Sequence, residues 1–299
     1  MARIKKITKY FAVLDNDDKL LNEFIQHKQE FDEHQNCLKE IEYNPSGEVE
    51  SASGYKYNDQ NKMIEEIHYF DQDEVGEIIK YKLNDEGKPE EIETVYADDA
   101  RSVKKISRSE FLLSTKIFDE DGELEGEESI KFDQKNRPVE EIQIDESGKV
   151  VQRSVYEYNT DDQVVGRTNY GENNEFLVND LFEYDDRNNL VKIVQLNEKG
   201  KLVNANKFEY DERGNQVLMQ SNQHITRTAY DKENRIISEE HMSRAANAVE
   251  KFTEYKYGDH GLVIEERTFS MGDPYQLEPG VFARTGSNLT LLRYEYEFY

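Results

Sequence analysis

Apolar and polar residues alternate along most of this chain. The segments SVYEY at residues 154–158 and NKFEY at residues 206–210 show the pattern most clearly. An alternation with a period of two residues is typical of a β-strand that buries one face. The sequence therefore predicts many short strands and leaves no room for long helices between them.

A short polar motif separates these predicted strands. It starts with Asp or Asn and carries Gly or Asn at its fourth position, as in DEDG after Phe118 and NEKG after Leu196. The first side chain can hydrogen-bond to its own backbone, and Gly or Asn tolerates a left-handed conformation, so the motif predicts tight hairpin loops. Weaker copies follow Leu14, Phe31, Phe70 and Tyr96. With these included, the motif predicts about seventeen turns and therefore roughly eighteen strands.

The spacing of the motif defines a repeat. From Phe118 to Tyr210 the residue before each turn recurs at intervals of 14, 12, 14, 12, 14, 12 and 14 residues, so a 26-residue unit contains two turns. Strands joined by tight turns are antiparallel neighbours. We predict an all-β fold, an extended antiparallel β-meander of tandem hairpin repeats that forms a twisted or partly coiled open sheet.

The repeats predict one domain over residues 1–299. Residues 1–40 form an atypical N-terminal capping unit, residues 41–265 carry the repeats, and residues 266–299 form a loop and a terminal strand. The end strands, near residues 4–14 and 291–299, are expected either to pair within the array or to offer unpaired edges to a partner.

One set of turns follows a pair of aromatic residues at alternate positions, and the other set does not. Successive turns of a meander lie on opposite sides of the sheet, so these aromatics should form a stripe near one side. Cross-strand aromatic pairs stabilise a sheet, and an exposed tyrosine ladder could instead bind a ligand. The candidate binding residues are Tyr55, Tyr57, Tyr156, Tyr158, Phe182, Tyr184, Phe208, Tyr210, Tyr255 and Tyr257.

The chain is strongly acidic, with 64 Asp and Glu against 38 Lys and Arg and a formal net charge of -26. This balance argues against nucleic acid as a partner, because phosphate binding depends on basic residues, and it favours a protein partner with a basic surface. We find neither a signal-peptide pattern nor an apolar run long enough to span a membrane. A cytoplasmic location is expected, and export by a dedicated secretion machine remains open.

Catalytic and metal-binding motifs are not recognisable. Cys37 is the one cysteine, so the chain has no cysteine-based zinc site or intrachain disulfide. We expect no enzyme activity, no cofactor and no dedicated metal site. The aspartate-rich turns at residues 15–18, 71–74 and 119–122 could hold calcium, although such turns are also common for conformational reasons.

Four turn segments resemble a known repeat. They are YKYNDQNKMIEE from Tyr55, YEYNTDDQVV from Tyr156, FEYDDRNNL from Phe182 and FEYDERGNQV from Phe208. Over about residues 40–265 the chain is similar to the YD repeats of the RHS family of bacterial polymorphic toxins, toxin-complex shells and teneurins. This resemblance implies a non-catalytic antiparallel ribbon. We recognise neither the self-cleaving RHS core nor a toxin domain.

These observations predict a non-enzymatic structural or interaction scaffold whose acidic β-repeat surface binds a protein. Two alternatives stay open at this point. One is a carbohydrate or small-ligand binding module that uses the tyrosine stripe. The other is an accessory or immunity-type partner of a secreted toxin system.

Overall fold

The protein is built from antiparallel β-strands. A computed structural model describes residues 2–15, 17–71, 74–271, 274–278, 281–284 and 287–299. For the described residues between 272 and 287 it describes the backbone, and for all the others it describes the side chains as well. The chain forms two compact units: a terminal unit, Met1–Ala52 with Asn206–Tyr299, and a central unit, Ser53–Ala205. Among the described residues the one helical element is a three-residue 3₁₀ turn, Glu172–Asn174.

The central unit contains eleven complete strands, and β4 (Val49–Tyr57) and β16 (Leu202–Tyr210) have residues in both units. The complete strands that follow one another in sequence pair antiparallel. The strands are β5 (Met63–Tyr69), β6 (Val75–Leu83), β7 (Pro89–Tyr96), β8 (Arg101–Arg108), β9 (Leu112–Phe118), β10 (Leu124–Phe132), β11 (Pro138–Asp145), β12 (Val150–Tyr158), β13 (Val164–Tyr170), β14 (Phe176–Tyr184) and β15 (Leu190–Leu196).

The terminal unit contains strands from both ends of the chain. They are β1 (Ile4–Leu14), β2 (Leu20–Phe31), β3 (Cys37–Tyr43), β17 (Gln216–Gln220), β18 (His224–Tyr230), β19 (Ile236–Ser243), β20 (Ala248–Tyr257), β21 (Val263–Met271), β22 (Pro274–Glu278), β23 (Val281–Arg284) and β24 (Ser287–Phe298). Their antiparallel pairing confirms the all-β antiparallel prediction in this unit as well.

The hairpin turns have the predicted conformation. Gly122, Gly148 and Asn188 stand at the fourth turn position with φ of 77°, 79° and 65°. At the first position, the Oδ1 atom of Asp145 accepts hydrogen bonds from the backbone N–H groups of Ser147 and Lys149, both at 2.9 Å. Local side-chain chemistry therefore fixes the turns, as the sequence motif predicts.

The expected number of strands, roughly eighteen, is wrong, because the described chain contains 24. Three additional turns lie at residues 109–111, 221–223 and 244–247. They begin with Ser or Arg instead of Asp or Asn, and the Ser221 N–H donates to the carbonyl of His224 at 2.8 Å. The irregular spacing after Tyr210 thus reflects hairpins whose turns lack the motif.

The prediction of an open sheet or ribbon is also wrong. In the terminal unit β1 pairs with β2 on one side and with β24 on the other, and β24 also pairs with β21. The first and last strands of the meander therefore share a ladder, and neither is the free edge considered for partner docking. Pairing satisfies backbone groups that an open edge would leave exposed.

The segment between β21 and β24, where the sequence predicts a loop, contains two further strands. The backbone of β22 pairs with β23 as a separate two-stranded ladder. Pro274 is the first residue of its strand, a position where the missing N–H is tolerated. Pro279 lies outside the described residues.

The apolar core is thin. The fully buried apolar side chains among the described residues are small, Ala12 and Ala52, at 1% and 3% exposure. Most other strand residues are half-buried, and the more covered face of the strands carries polar groups beside the aromatic ones. Hydrogen bonds and cross-strand pairs therefore hold the sheet as much as apolar burial does.

Candidate functional site

The ten predicted aromatic residues all lie at the ends of even-numbered strands, directly before a turn, and all are half-buried. The central unit holds six of them, from Tyr55 to Tyr184, and the terminal unit holds four, from Phe208 to Tyr257. Within each unit they share one side of the sheet, since successive turns alternate between its two sides. Whether they bind a ligand stays a prediction.

The second tyrosine in three of the five aromatic pairs has a structural contact. The hydroxyls of Tyr158, Tyr184 and Tyr257 donate hydrogen bonds to the backbone carbonyls of Pro138 at 2.5 Å, Val164 at 2.8 Å and Ile236 at 2.7 Å. Each acceptor is the first residue of the strand preceding the tyrosine's own strand. These tyrosines therefore connect consecutive turns on the same side of the sheet. Tyr230 and Tyr296, which the sequence did not select, make the same contact with Gln216 and Val263.

Tyrosines two residues further from the turn contact glutamates. The Tyr255 hydroxyl donates to Oε2 of Glu239 at 2.6 Å, and the Tyr294 hydroxyl donates to Oε1 of Glu266 at 2.6 Å. Burial raises the pKa of both phenols, and the hydrogen bond to the carboxylate raises it further. Both glutamates lie near the start of their strands. Glu239 belongs to a Ser-Glu-Glu sequence in β19, and Glu266 belongs to a Glu-Glu sequence in β21.

Arginine side chains cover some of the tyrosine rings. The guanidinium carbon of Arg137 lies 4.3 Å from the ring centroid of Tyr158, and that of Arg235 lies 4.5 Å from the ring of Tyr257. Both contacts have cation–π geometry. A sugar that stacked on these rings would have to displace the protein's own cation.

A buried carboxylate in the central unit is a feature that the sequence did not reveal. Asp180 on β14 is 1% exposed. Its Oδ2 accepts hydrogen bonds from Arg167 at 2.9 and 2.7 Å and from Asn169 at 3.0 Å, while its Oδ1 accepts one from Gln195 at 2.8 Å. The donors lie on the two neighbouring strands, so only the strand register brings them together. With both oxygens occupied, this group stabilises the sheet and is poorly placed for acid–base chemistry.

The aspartate-rich turns show no metal-binding geometry in the part of the chain that the structure describes, where no cluster of three His, Cys, Asp or Glu side chains could hold an ion. Asp119 Oδ1 already accepts the backbone N–H groups of Asp121 and Glu123. Asn16, Gln72 and Asp73 of the other two candidate loops lie outside the described residues. Among the described residues, no helix is long and apolar enough to cross a membrane.

Charge is distributed unevenly between the two sides of the central unit. We define the acidic turn row as the turns after β5, β7, β9, β11 and β13. The next turn on this side, after β15, carries Lys199 and Lys201 and is not part of the row. Lys149 is the one lysine or arginine among the described residues of this row. The exposed carboxylates of the row are Asp71, Glu74, Asp98, Asp99, Glu120, Asp121, Glu123, Glu146, Glu172 and Glu175.

The turns on the opposite side of the central unit contain balancing cations. Lys135 contacts Asp162 at 2.6 Å, Arg137 contacts Asp133 at 2.5 Å, and Lys88 contacts Glu86 at 2.8 Å. The hydrogen bond from Lys88 lowers the pKa of Glu86. In the acidic turn row, by contrast, none of Glu120, Glu146 and Glu172 has a lysine or arginine partner within the described chain. The acidic turn row therefore contains fewer cations and ion pairs than the turns on the opposite side.

Comparison with known proteins gives no family assignment: no family model matches the chain, and no curated protein matches it. Among solved structures, the TcdB2-TccC3-Cdc42 complex aligns with a TM-score of 0.40 at 11% identity, over 88% of this chain and 17% of that one. The Photorhabdus luminescens Tc holotoxin pore aligns with a TM-score of 0.33 at 11% identity, over 95% of this chain and 18% of that one.

A third structure, a porin-like protein from Bacteroides uniformis, aligns with a TM-score of 0.30 at 10% identity, over 98% of this chain and 96% of that one. This chain thus spans less than a fifth of the length of the two Tc chains. At these scores the similarity to the RHS-type fold is loose, and membership of the RHS family stays a prediction.

Proposed function

We propose that the protein is a non-enzymatic interaction scaffold whose acidic turn row binds a basic surface of a partner protein. The observation that carries the proposal is the charge asymmetry of the central unit. Lys149 is the one lysine or arginine among the described residues of the acidic turn row, whereas Lys88, Lys135 and Arg137 pair with acids of the opposite turns.

The spacing of the row suits a multivalent contact. Strands lie about 4.8 Å apart, so turns that are two strands apart are separated by roughly 10 Å. This distance is close to the screening length at ~0.1 M salt. At low ionic strength a basic partner that spans several turns is attracted electrostatically by each of them. Its affinity should therefore fall steeply as salt is added.

The geometry supports carbohydrate binding by the tyrosine stripe less well. Hydroxyls of Tyr158, Tyr184 and Tyr257 bind backbone carbonyls, and guanidinium groups cover two of these rings. The stripe thus has a structural role that requires no ligand.

Two matched variants test the proposal. The row variant combines Asp98→Asn, Glu120→Gln, Glu146→Gln and Glu172→Gln, and the opposite-turn variant combines Asp59→Asn, Asp85→Asn, Asp161→Asn and Asp186→Asn. Each removes the same charge from exposed turn positions of the central unit. The immobilised proteins are exposed to lysate of the native organism at low and high salt, and captured proteins are identified by mass spectrometry.

We expect a basic protein to be retained by the wild type and by the opposite-turn variant, released at high salt, and lost from the row variant. Equal retention by the two variants would contradict the proposal. Unfolding curves for both variants control for loss of structure.

A further inference from the structure

Most turns of the chain share one stabilising device at their first residue. The side chain of that Asp or Asn accepts the backbone N–H groups of the residues two and four positions later, as Asn84 does with Glu86 and Lys88 at 3.0 Å each. The same pair of bonds is made by Asp15, Asp32, Asn44, Asn58, Asp119, Asp133, Asp145, Asn159, Asp185, Asn197, Asp211 and Asp231.

Two neighbouring turns of the acidic turn row have an aromatic residue at this position instead. The Phe70 N–H donates to the Glu74 carbonyl at 2.8 Å, and the Tyr96 N–H donates to the Ala100 carbonyl at 2.9 Å, which is the bond that the first residue makes in the other turns. The sequence motif had placed both turns one residue later. Phe70 and Tyr96 cannot make the side-chain bonds of Asp or Asn, so these turns lack the pair of bonds that most turns share. Asp71 Oδ1 accepts the Glu74 N–H at 3.1 Å instead, and Asp98 Oδ1 accepts the Ala100 N–H at 3.2 Å.

Both aromatic side chains are exposed. Phe70 is 64% and Tyr96 is 41% exposed. The ring of Phe70 rests on the backbone of Gly76, where an added Cβ would lie 3.3 Å from its Cε1 atom. The ring therefore has a fixed support on one face. An aromatic residue that replaces a turn-stabilising residue and stays exposed gains little from burial, which suggests that its ring serves a contact.

The two rings line a cavity of about 610 Å³ within the central unit. Glu77, Asp98 and Glu120 contribute carboxylates to its wall, and none of its described lining residues is a lysine or an arginine. His68, also in the wall, is already engaged, with Nδ1 3.0 Å from the Ser53 hydroxyl and Nε2 3.0 Å from Glu66. The cavity thus combines exposed aromatic rings with carboxylates that carry net negative charge.

We propose that this cavity receives an arginine side chain of the partner. A guanidinium group stacks on aromatic faces and binds carboxylates in the same plane, which matches a wall of rings and acids. The inference rests on the proposed function in one respect, that the arginine belongs to the basic partner of the acidic turn row. Phe70 and Tyr96 then act as the anchor of that surface, and the remaining turns supply longer-range attraction.

The variant Phe70→Asn with Tyr96→Asn tests the cavity without harming the fold. It removes both rings and introduces the residue type with which most turns begin, so its unfolding free energy should be equal to or above that of the wild type.

In the first experiment, para-fluorophenylalanine is placed at position 70 and followed by fluorine NMR. Argininamide should shift the signal to saturation, and citrullinamide, its neutral analogue, should not. No shift with either, or equal shifts with both, would overturn the inference.

The second experiment connects the cavity to the acidic turn row. A fluorescent peptide of alternating serine and lysine with one central arginine is titrated by anisotropy. We expect roughly three- to tenfold weaker binding to the Phe70→Asn, Tyr96→Asn variant. If the wild type and this variant bind equally, the cavity inference fails and the proposed function stands. If the wild type binds argininamide but not the peptide, the proposed function fails and the cavity stands.

Discussion

The hydroxyl of Tyr158 donates a hydrogen bond of 2.5 Å to the backbone carbonyl of Pro138. Tyr158 precedes one turn, and Pro138 follows the previous turn on the same side of the sheet. The contact recurs with Tyr184, Tyr230, Tyr257 and Tyr296 as donors. In the sequence motif the tyrosine precedes its own turn, yet its hydroxyl binds the backbone beside the neighbouring turn.

Removing this hydroxyl should destabilise the protein modestly. Tyr158→Phe leaves the Pro138 carbonyl with one partner fewer, and we expect the free energy of unfolding to fall by about 1 kcal/mol. Denaturant titration measures the change. Tyr43→Phe is a suitable control, because the Tyr43 hydroxyl makes no hydrogen bond in the described part of the chain, although Lys28 lies over its ring. Equal losses in the two variants would show that the Tyr158 contact contributes nothing specific.

The left-handed turn position should respond to backbone strain alone. Gly148 has φ of 79°, and a Cβ added there would meet no atom within 4 Å. Gly148→Ala should therefore lower the unfolding free energy by about 1 kcal/mol through strain and without a clash. Gly148→Asn should cost less, because Asn tolerates this conformation. We expect the denaturant midpoint to be highest for the wild type, lower for Gly148→Asn and lowest for Gly148→Ala. A Gly148→Ala variant as stable as the wild type would refute the prediction.

The Asp180 network should be sensitive to loss of its carboxylate. Asp180→Ala leaves Arg167, Asn169 and Gln195 without their acceptor. We expect a loss of about 2–3 kcal/mol, less than for a fully buried ion pair, because the Arg167 side chain is 41% exposed and can reach water. The exposed Asp186→Ala serves as the control and should change the unfolding free energy by less than about 0.5 kcal/mol. A loss as small as that of the control would mean that the network is not structural.

Alkaline pH should weaken the terminal unit through Tyr255 and Tyr294. Burial and the bonds to Glu239 and Glu266 raise the pKa of both phenols above the ordinary value of 10.0. In the unfolded chain these phenols lose their protons near that ordinary value, while in the folded protein they keep them. Their stabilising contribution is therefore fully present below the ordinary pKa and is lost as the pH rises from there through the raised folded values.

Replacing both tyrosines by phenylalanine removes this linkage. The unfolding free energy of the Tyr255→Phe, Tyr294→Phe variant should fall less steeply with pH above the ordinary tyrosine pKa than that of the wild type. Urea titrations across the alkaline range measure the slope, and ultraviolet absorbance follows tyrosinate formation. Parallel slopes would mean that the two phenols titrate alike in the folded and unfolded states.

The sequence predicted those parts of the fold that depend on local chemistry. Turns that begin with Asp or Asn, such as the one at Asp145, were located correctly because the side chain and the fourth residue determine them over five positions. The turn at Ser221 was missed because its stabilising atom is a hydroxyl and its fourth residue, His224, is already in a strand. Local patterns also could not show that β1 pairs with β24, since that contact joins the two ends of the chain.

The candidate surfaces were less accessible to sequence reasoning. The aromatic stripe was found from alternation, but its hydroxyl acceptors depend on the register between strands. The Asp180 donors lie on the adjacent strands β13 and β15, so no short motif contains them. Phe70 and Tyr96 were placed just before their turns and not at the first turn position, because the aspartates beside them gave a turn motif shifted by one residue.

The central claim, that the acidic turn row of the central unit binds a basic partner, is tested most directly by anisotropy titration of a fluorescent lysine–serine peptide. The wild type, the row variant and the opposite-turn variant are compared at low and at physiological salt. We predict that the row variant binds roughly tenfold more weakly at low salt and that the opposite-turn variant stays within about twofold of the wild type. Equal weakening of the two variants would show that net charge alone attracts the peptide and would contradict a specific role for the acidic turn row.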